Sequence, residues 1–147
     1  MDYELLKLDN QLCFALYACS REVTKLYKPF LDEIGLTYTQ YITLLVLWEK
    51  DNITVKELGS KLHLDSGTLT PLLKKIENMG LVTRIRDKED ERNVYVKLTD
   101  YGNKMKDKAV EIPFKLFCST GISAEEAVLL KDKLRGMLNT LENTITK

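Results

Sequence analysis

Residues 52–98 read NITVKELGSKLHLDSGTLTPLLKKIENMGLVTRIRDKEDERNVYVKL, in which two short helical segments precede two segments of alternating polarity. A first helix is predicted over about 55–62 and a second over about 66–79, from apolar residues at three- and four-residue steps. Asp65 or Ser66 is placed to cap the second helix, because short polar side chains accept hydrogen bonds from free N–H groups at a helix start. Two helices joined by so short a turn are typical of a helix-turn-helix.

A charged hairpin follows the second helix. Gly80 is placed to end that helix, as glycine tolerates the left-handed backbone found there. Residues 81–86 and 93–98 then alternate between apolar and polar side chains, as half-buried strands do. The six residues between them, 87–92, are all charged and form the predicted hairpin tip. A hairpin in this position is the wing of a winged helix-turn-helix.

Longer helices are predicted on both sides of this unit. Apolar periodicity predicts helices over 4–28 and over about 38–50, 100–118 and 124–144, and Pro113 predicts a kink or break in the third of these. Four residues are placed to cap helices, namely Thr37, Thr54, Thr99 and Ser123. A domain this small cannot cover the apolar faces of the long terminal helices, so a second copy of the chain is the expected partner.

The predicted fold is mainly α (α+β), a winged helix-turn-helix with long N- and C-terminal dimerisation helices. One domain, 1–147, is expected. Residues 1–35 and 100–147 would form the dimerisation helices, and residues 38–98 the DNA-binding lobe. A homodimer also suits an operator with an inverted repeat, because two recognition helices about one DNA turn apart read two half-sites.

The composition limits the other classes of function. The chain has 147 residues, of which 44% are hydrophobic and 30% charged, with no apolar run long enough to span a membrane. A cytoplasmic protein without membrane contact is therefore expected. The three cysteines form no CxxC pair and there is one histidine, so neither a metal site nor a cofactor is expected. The net charge is zero, and residues 54–98 carry nine basic and seven acidic side chains, which favours specific docking over indiscriminate binding of polyanions.

The candidate DNA contacts lie on the second helix and on the wing. Short hydroxyl side chains at the helix start allow close approach to the major groove, and lysines further along suit phosphates. A hairpin-tip arginine, Arg92, suits the minor groove, and Asp90 is placed to hold its guanidinium. The full set of candidates is Asp65, Ser66, Thr68, Thr70, Lys74, Lys75, Arg84, Arg86, Asp90 and Arg92.

The wing residues, from Gly80 through Arg84 to Asp90-Glu91-Arg92 and Val96–Thr99, resemble the signature of the MarR family of transcriptional regulators. The resemblance extends over nearly the whole chain to the organic hydroperoxide resistance regulators (OhrR) of that family. It is carried by Asn10–Tyr17, Tyr27-Lys28-Pro29, Leu36–Tyr41 and Leu64–Pro71. It implies a MarR-type domain and a repressor that leaves its operator when an organic hydroperoxide oxidises a cysteine.

The same resemblance implies roles for five residues. Cys13 would be the peroxide-sensing thiol, since a thiolate attacks the peroxide O–O bond to give a sulfenic acid. Tyr27 and Tyr38 of the other subunit would donate hydrogen bonds to this thiolate, and Tyr17 lies one helical turn from Cys13. Cys118 falls where two-cysteine members carry a resolving thiol. Cys19 lies on the apolar stripe of its helix, so core packing is expected for it.

Three other interpretations remain open. A MarR-type repressor could be released by a small aromatic ligand, with Cys13 incidental. A thiol-sensing global or virulence regulator would use the same cysteine for a different set of genes. A thiol peroxidase would use Cys13 and Cys118 as a catalytic pair, but it would have no use for the wing. No enzyme activity is expected, because no charged base or arginine neighbours Cys13 in the sequence.

Overall fold

Helices dominate the chain, which the computed structural model describes from residue 3 to residue 145. Helices α1 to α7 span Leu12–Asp32, Tyr38–Glu49, Val55–Leu62, Ser66–Asn78, Asp100–Ala109, Ile112–Thr120 and Ala124–Ile145. Strands β1 to β3 span Ile53–Thr54, Val82–Arg86 and Val94–Leu98. Residues up to Ile112 form one compact unit, and residues from Pro113 onward form a second. The helix-turn-helix and wing both lie in the first unit, which confirms the predicted fold class.

Each of the predicted caps accepts a hydrogen bond from the first turn of its helix. Asp65, rather than Ser66, caps α4 and accepts from the Thr68 N–H at 2.8 Å. The Thr37 hydroxyl accepts from the Gln40 N–H at 3.4 Å. The other three caps are Thr54, Thr99 and Ser123. Local side-chain chemistry therefore sets where these helices begin.

The wing belongs to a three-stranded antiparallel sheet with the order β1-β3-β2. In this sheet Val96 of β3 lies between Ile53 of β1 and Arg84 of β2. The sequence analysis missed β1, because a two-residue strand is too short to show alternation of polarity. Pairing with β1 ties the base of the wing to the start of α3.

The predicted helix over 4–28 was wrong at its N-terminal end. Two short 3₁₀ helices occupy Tyr3–Leu6 and Leu8–Asn10, and α1 begins only at Leu12. The Gln11 side chain donates to the carbonyl oxygens of Leu5 and Lys7, at 2.6 and 3.1 Å. These side-chain bonds compete with helical backbone bonds before residue 12.

A close backbone contact joins the base of the wing to α5. A Cβ at Gly102 would overlap the Leu81 carbonyl oxygen, so no larger residue fits there without a shift of the backbone. The Thr99 hydroxyl donates to the Gly80 carbonyl oxygen at 2.6 Å, and the Trp48 indole donates to the Gly102 carbonyl oxygen at 3.0 Å. The ends of β2 and β3 and the first turn of α5 are therefore held at one point.

The apolar core of the first unit lies between α2, α3, α4 and the sheet. Its most completely buried side chains include Leu44, Leu47, Leu58, Leu73, Ile76, Leu81 and Val96. A helix over 100–118 was predicted, with a kink or break at Pro113. The observed break lies just before it, at residues 110–111 between α5 and α6.

The long helix α7 leaves its apolar side chains uncovered in the single chain. Its exposed leucines are Leu129, Leu130, Leu134, Leu138 and Leu141. This exposure agrees with the expectation that the terminal helices need a partner. Within residues 3–145, none of the helices is both long enough and apolar enough to cross a membrane.

Candidate nucleic-acid interface and thiol site

Helix α4 has a buried face and an exposed polar face. Leu69, Leu73 and Ile76 are buried against the core. The polar candidates on the helix are all exposed, namely Ser66, Thr68, Thr70, Lys74 and Lys75. Their exposure agrees with the prediction from the sequence. That they contact DNA remains a prediction.

Asp65 has a structural task at the start of α4. Its carboxylate accepts the hydrogen bond from the Thr68 N–H, which lowers the pKa of Asp65 below its ordinary value. The ionised carboxylate therefore stabilises the turn that begins the helix. This cap fixes the start of α4, where Ser66 and Thr68 are exposed.

The wing tip presents Arg92 to solvent in a defined geometry. Its side chain is 91% exposed. The guanidinium donates to Asp90 through Nε at 3.0 Å and Nη2 at 3.3 Å, and the Arg92 N–H donates to Asp90 Oδ1 at 3.2 Å. The arginine lowers the pKa of Asp90, so the carboxylate remains ionised. The predicted pairing of Asp90 with Arg92 is present in the structure.

Arg84 has a partner that the sequence analysis did not foresee. Its guanidinium donates to Glu77 Oε2 of α4 through Nε at 3.0 Å and Nη2 at 2.8 Å, and its N–H donates to Glu77 Oε1 at 3.1 Å. The two side chains are 28% and 33% exposed. Arg84 was a candidate DNA contact, but in this structure its guanidinium joins the wing to the recognition helix. Glu77 and Arg84 are seven residues apart, on opposite sides of the end of α4. No sequence pattern relates two residues at this spacing, so the pair could not be predicted.

The remaining wing candidate, Arg86, is less constrained. It is exposed, and its Nη1 donates to the neutral carbonyl oxygen of Glu91 at 3.2 Å. Its positive charge therefore stays available to an anion.

Cys13 lies in the first turn of α1 and is exposed. The side chain of Gln11, the residue before the helix, does not cap the free N–H groups there. The N-terminal end of a helix favours nearby negative charge. The sequence analysis placed Cys13 in the middle of a helix and so missed this feature.

Tyr27 and Tyr38 form a cluster with Tyr41, which the sequence analysis did not single out. The ring centroids of Tyr27 and Tyr38 are 4.8 Å apart, and those of Tyr27 and Tyr41 are 5.7 Å apart. Burial, with the neighbouring phenols, raises the pKa of Tyr27 to about 12. Burial also raises the pKa of Tyr38 and of Tyr41. The hydroxyls therefore keep their protons near neutral pH and can donate hydrogen bonds.

The structure also describes the surroundings of Tyr17, Cys118 and Cys19. The Tyr17 ring is 59% exposed, and the Arg21 guanidinium lies over it at 5.4 Å from the ring centroid. Cys118 lies on α6 and is exposed. The sequence predicts core packing for Cys19, but Cys19 is exposed, as are Leu12 and Phe14 in the same part of α1.

Known proteins resemble the chain over nearly its full length. A family model described as the transcriptional regulator SarA/Rot matches residues 25–109. The organic hydroperoxide resistance transcriptional regulator of Bacillus subtilis is 52% identical over 139 residues, which are 95% of each chain. The chain belongs to the organic hydroperoxide resistance subgroup of the MarR family. As a member of this family it is a transcriptional regulator and not an enzyme, so the interpretation as a peroxidase is rejected.

Solved structures of AbfR, a protein of Staphylococcus epidermidis, resemble this MarR-family chain. Reduced AbfR bound to DNA gives a TM-score of 0.77 at 36% identity, covering 96% of this chain and 99% of AbfR. The disulfide form of AbfR gives a TM-score of 0.60 at 38% identity, covering 98% of this chain and 96% of AbfR.

We predict that the Glu77–Arg84 pair stabilises this MarR-family lobe by about 1 kcal/mol, the upper range for a partly exposed ion pair. Arg84 lowers the pKa of Glu77 below its ordinary value of 4.5. A depressed carboxylate pKa contributes stability above the unfolded value, and this stability is lost as pH falls through the folded value. Glu77→Gln should therefore have a lower free energy of unfolding than wild type at pH 7. This difference should disappear as the pH falls below 4.5.

Urea denaturation at fixed protein concentration measures this difference. Glu57→Gln is the matched control, because Glu57 pairs with Lys50 at 2.7 Å through side chains that are 43% and 66% exposed. It should have a smaller effect at pH 7. An equal deficit for Glu77→Gln in acid and at pH 7 would contradict the role of the ion pair.

Proposed function

We propose that the protein is a cytoplasmic, homodimeric repressor that binds operator DNA with an inverted repeat and is released when an organic hydroperoxide oxidises Cys13. The proposal rests chiefly on one observation. The polar face of α4 and the exposed Arg92 lie on the same lobe, as a reader of a major groove and the adjacent minor groove requires.

Relatives support both halves of this proposal. Reduced and overoxidised forms of AbfR are known bound to DNA, and a disulfide form is known as well. The Bacillus subtilis relative is named for resistance to organic hydroperoxides. These descriptions link a MarR-type lobe to thiol oxidation in proteins that share at least a third of this sequence.

The length of α1 supports a sensing site that is shared between two subunits. Cys13 and Tyr27 lie on the same helix, 14 positions apart. At about 1.5 Å per residue they are separated by about 21 Å, far beyond hydrogen-bond distance. Tyr27 and Tyr38 can therefore support the thiolate of Cys13 only in a second copy of the chain. The protonated phenols supply hydrogen bonds without adding a charge.

The proposed chemistry has two steps. The Cys13 thiolate attacks the terminal peroxide oxygen, the O–O bond breaks, and the leaving alkoxide takes a proton to form an alcohol. Cys13 becomes a sulfenic acid. The thiolate of Cys118 from the partner then attacks the Cys13 sulfur, a disulfide forms, and the hydroxyl group leaves as water after protonation. The disulfide adds a covalent tether that shifts the dimer away from its DNA-binding state.

We predict that Arg92→Ala weakens operator binding by about 1–3 kcal/mol, the scale of a good groove contact. Arg92 is highly exposed, so the thermal stability should stay unchanged. Fluorescence anisotropy with a duplex selected from a random pool measures the affinity. Arg92→Lys is the matched variant, since it keeps the charge but loses the two-point contact with Asp90. Binding of Arg92→Ala as tight as wild type at moderate salt would exclude the wing from recognition.

We predict that Cys13→Ser binds the selected duplex as tightly as wild type but stays bound in cumene hydroperoxide. Serine lacks the nucleophilic thiolate that the first step requires. The measurement is anisotropy before and after peroxide treatment, and Cys19→Ser is the control that should respond like wild type. Release of Cys13→Ser at the wild-type rate would place the sensing thiol elsewhere and favour a small-ligand signal.

We predict that oxidation joins Cys13 of one subunit to Cys118 of its partner. A disulfide needs Cα atoms about 4.4–6.8 Å apart, so α6 has to approach the partner's α1. After peroxide treatment, non-reducing gels should show a covalent dimer for wild type and for Cys19→Ser, and a monomer for Cys118→Ser. A dimer band that persists in Cys118→Ser, or that is absent in wild type, would show that an external thiol resolves Cys13.

A further inference from the structure

A cavity of about 300 Å³ lies between α4, the first turn of α3 and the wing. It is lined by ten residues, four of which are basic and none of which is acidic, among the residues that the structure describes. The basic side chains are those of Lys56, Arg84, Arg86 and Arg92. In a chain with a net charge of zero, this is a local concentration of positive charge. We call this cavity the basic cleft.

The four cations differ in how far their charge is neutralised. Glu77 neutralises Arg84, and Asp90 neutralises Arg92. Arg86 donates to a neutral carbonyl oxygen. Lys56 is exposed, and the adjacent carboxylate of Glu57 pairs with Lys50 instead. Among the described residues, none forms an ion pair or a hydrogen bond with the Lys56 side chain. Two positive charges in the basic cleft, those of Lys56 and Arg86, are therefore left for an external anion.

Other groups in the basic cleft also suit an anion. Lys56 lies in the first turn of α3, where backbone N–H groups have no carbonyl partner within the helix. The Thr70 side chain adds an exposed hydroxyl from α4. These groups add to the two cations that have no ion-pair partner among the described residues.

We propose that the basic cleft holds phosphates of the DNA strand that runs between the two grooves, with Lys56 and Arg86 as the phosphate contacts. This inference rests on the proposed function, in which α4 enters a major groove and Arg92 the adjacent minor groove. A single sugar–phosphate backbone separates two adjacent grooves of a duplex. That backbone has to pass the surface between α4 and the wing tip, and the basic cleft lies at this surface.

The proposal assigns different roles to the arginines of β2. Arg84 is a positioning residue, because its hydrogen bonds to Glu77 hold β2 against α4 and so fix the width of the basic cleft. Arg86 and Lys56 bind phosphate, a contact without sequence information. Lys56 has no counterpart among the candidates from the sequence, since it lies outside the recognition helix and the wing.

The test is the salt dependence of DNA binding by Lys56→Ala. The slope of log K against log salt concentration should become shallower by about 1.8, because the dimer has two basic clefts and each lost phosphate contact removes about 0.9. By the same relation, affinity should fall about 30-fold at 0.15 M salt and approach wild type near 1 M. The probes are the selected operator duplex and a mixed-sequence duplex of the same length.

The affinity of Lys56→Ala for the two duplexes should fall by the same factor, since a phosphate contact does not read bases. Lys56→Arg should restore the slope, and Lys97→Ala is the matched control, because Lys97 is exposed on β3 but does not line the cavity. For the double variant Lys56→Ala/Arg86→Ala, the slope of log K against log salt concentration should become shallower by about 3.6. Thermal unfolding of Lys56→Ala should match wild type, because the side chain is exposed and the change removes no hydrogen bond or ion pair within the described residues.

The outcomes separate this site from the proposed function. Operator binding by wild type with an unchanged slope for Lys56→Ala would overturn the basic cleft alone. A loss confined to the operator would also overturn it, because Lys56 would then read bases. A wild-type protein that binds neither duplex would reject the basic cleft together with the proposed function.

Discussion

The contact between the Leu81 carbonyl oxygen and Gly102 is the constraint on which the DNA-binding lobe depends. At this point α4 has ended, β2 begins, β3 returns and α5 starts. Hydrogen bonds from Thr99 to Gly80 and from Trp48 to Gly102 hold the same junction. The direction of the wing and the start of the next helix are therefore fixed together.

Ion pairs divide the arginines of this lobe into two that are held by a carboxylate and one that is not. The Glu77–Arg84 pair joins α4 to β2, and the Asp90–Arg92 pair orients the wing tip. The carboxylates thus organise two arginines, while Lys56 and Arg86 keep their charge for an anion. A chain with a net charge of zero can in this way present a locally positive surface, which in the proposed complex faces the DNA backbone.

Within the single chain, apolar helix surfaces are exposed and Tyr27 is too far from Cys13 to reach its sulfur. Leucines of α7 are exposed, and Tyr27 of the tyrosine cluster lies about 21 Å along α1 from Cys13 by the rise of a helix. One association of two copies would cover the leucines, bring the phenols of one chain to the thiol of the other, and set the spacing of two recognition helices. Sensing and DNA binding would then depend on the same interface.

The sequence by itself determined the fold class, the caps of four helices, the polar face of α4 and the Asp90–Arg92 pair. These features rest on periodicity and on contacts between residues close in sequence, which local patterns record. Tertiary structure decided the start of α1, the strand β1, the ion pair of Arg84 and the basic cleft. The start of α1 depends on side-chain hydrogen bonds that compete with helical backbone bonds. The other three features depend on residues that the fold brings together from separate elements. Arg84 and Arg86 are two residues apart in the same strand, and the tertiary structure distinguishes them by placing Glu77 beside Arg84.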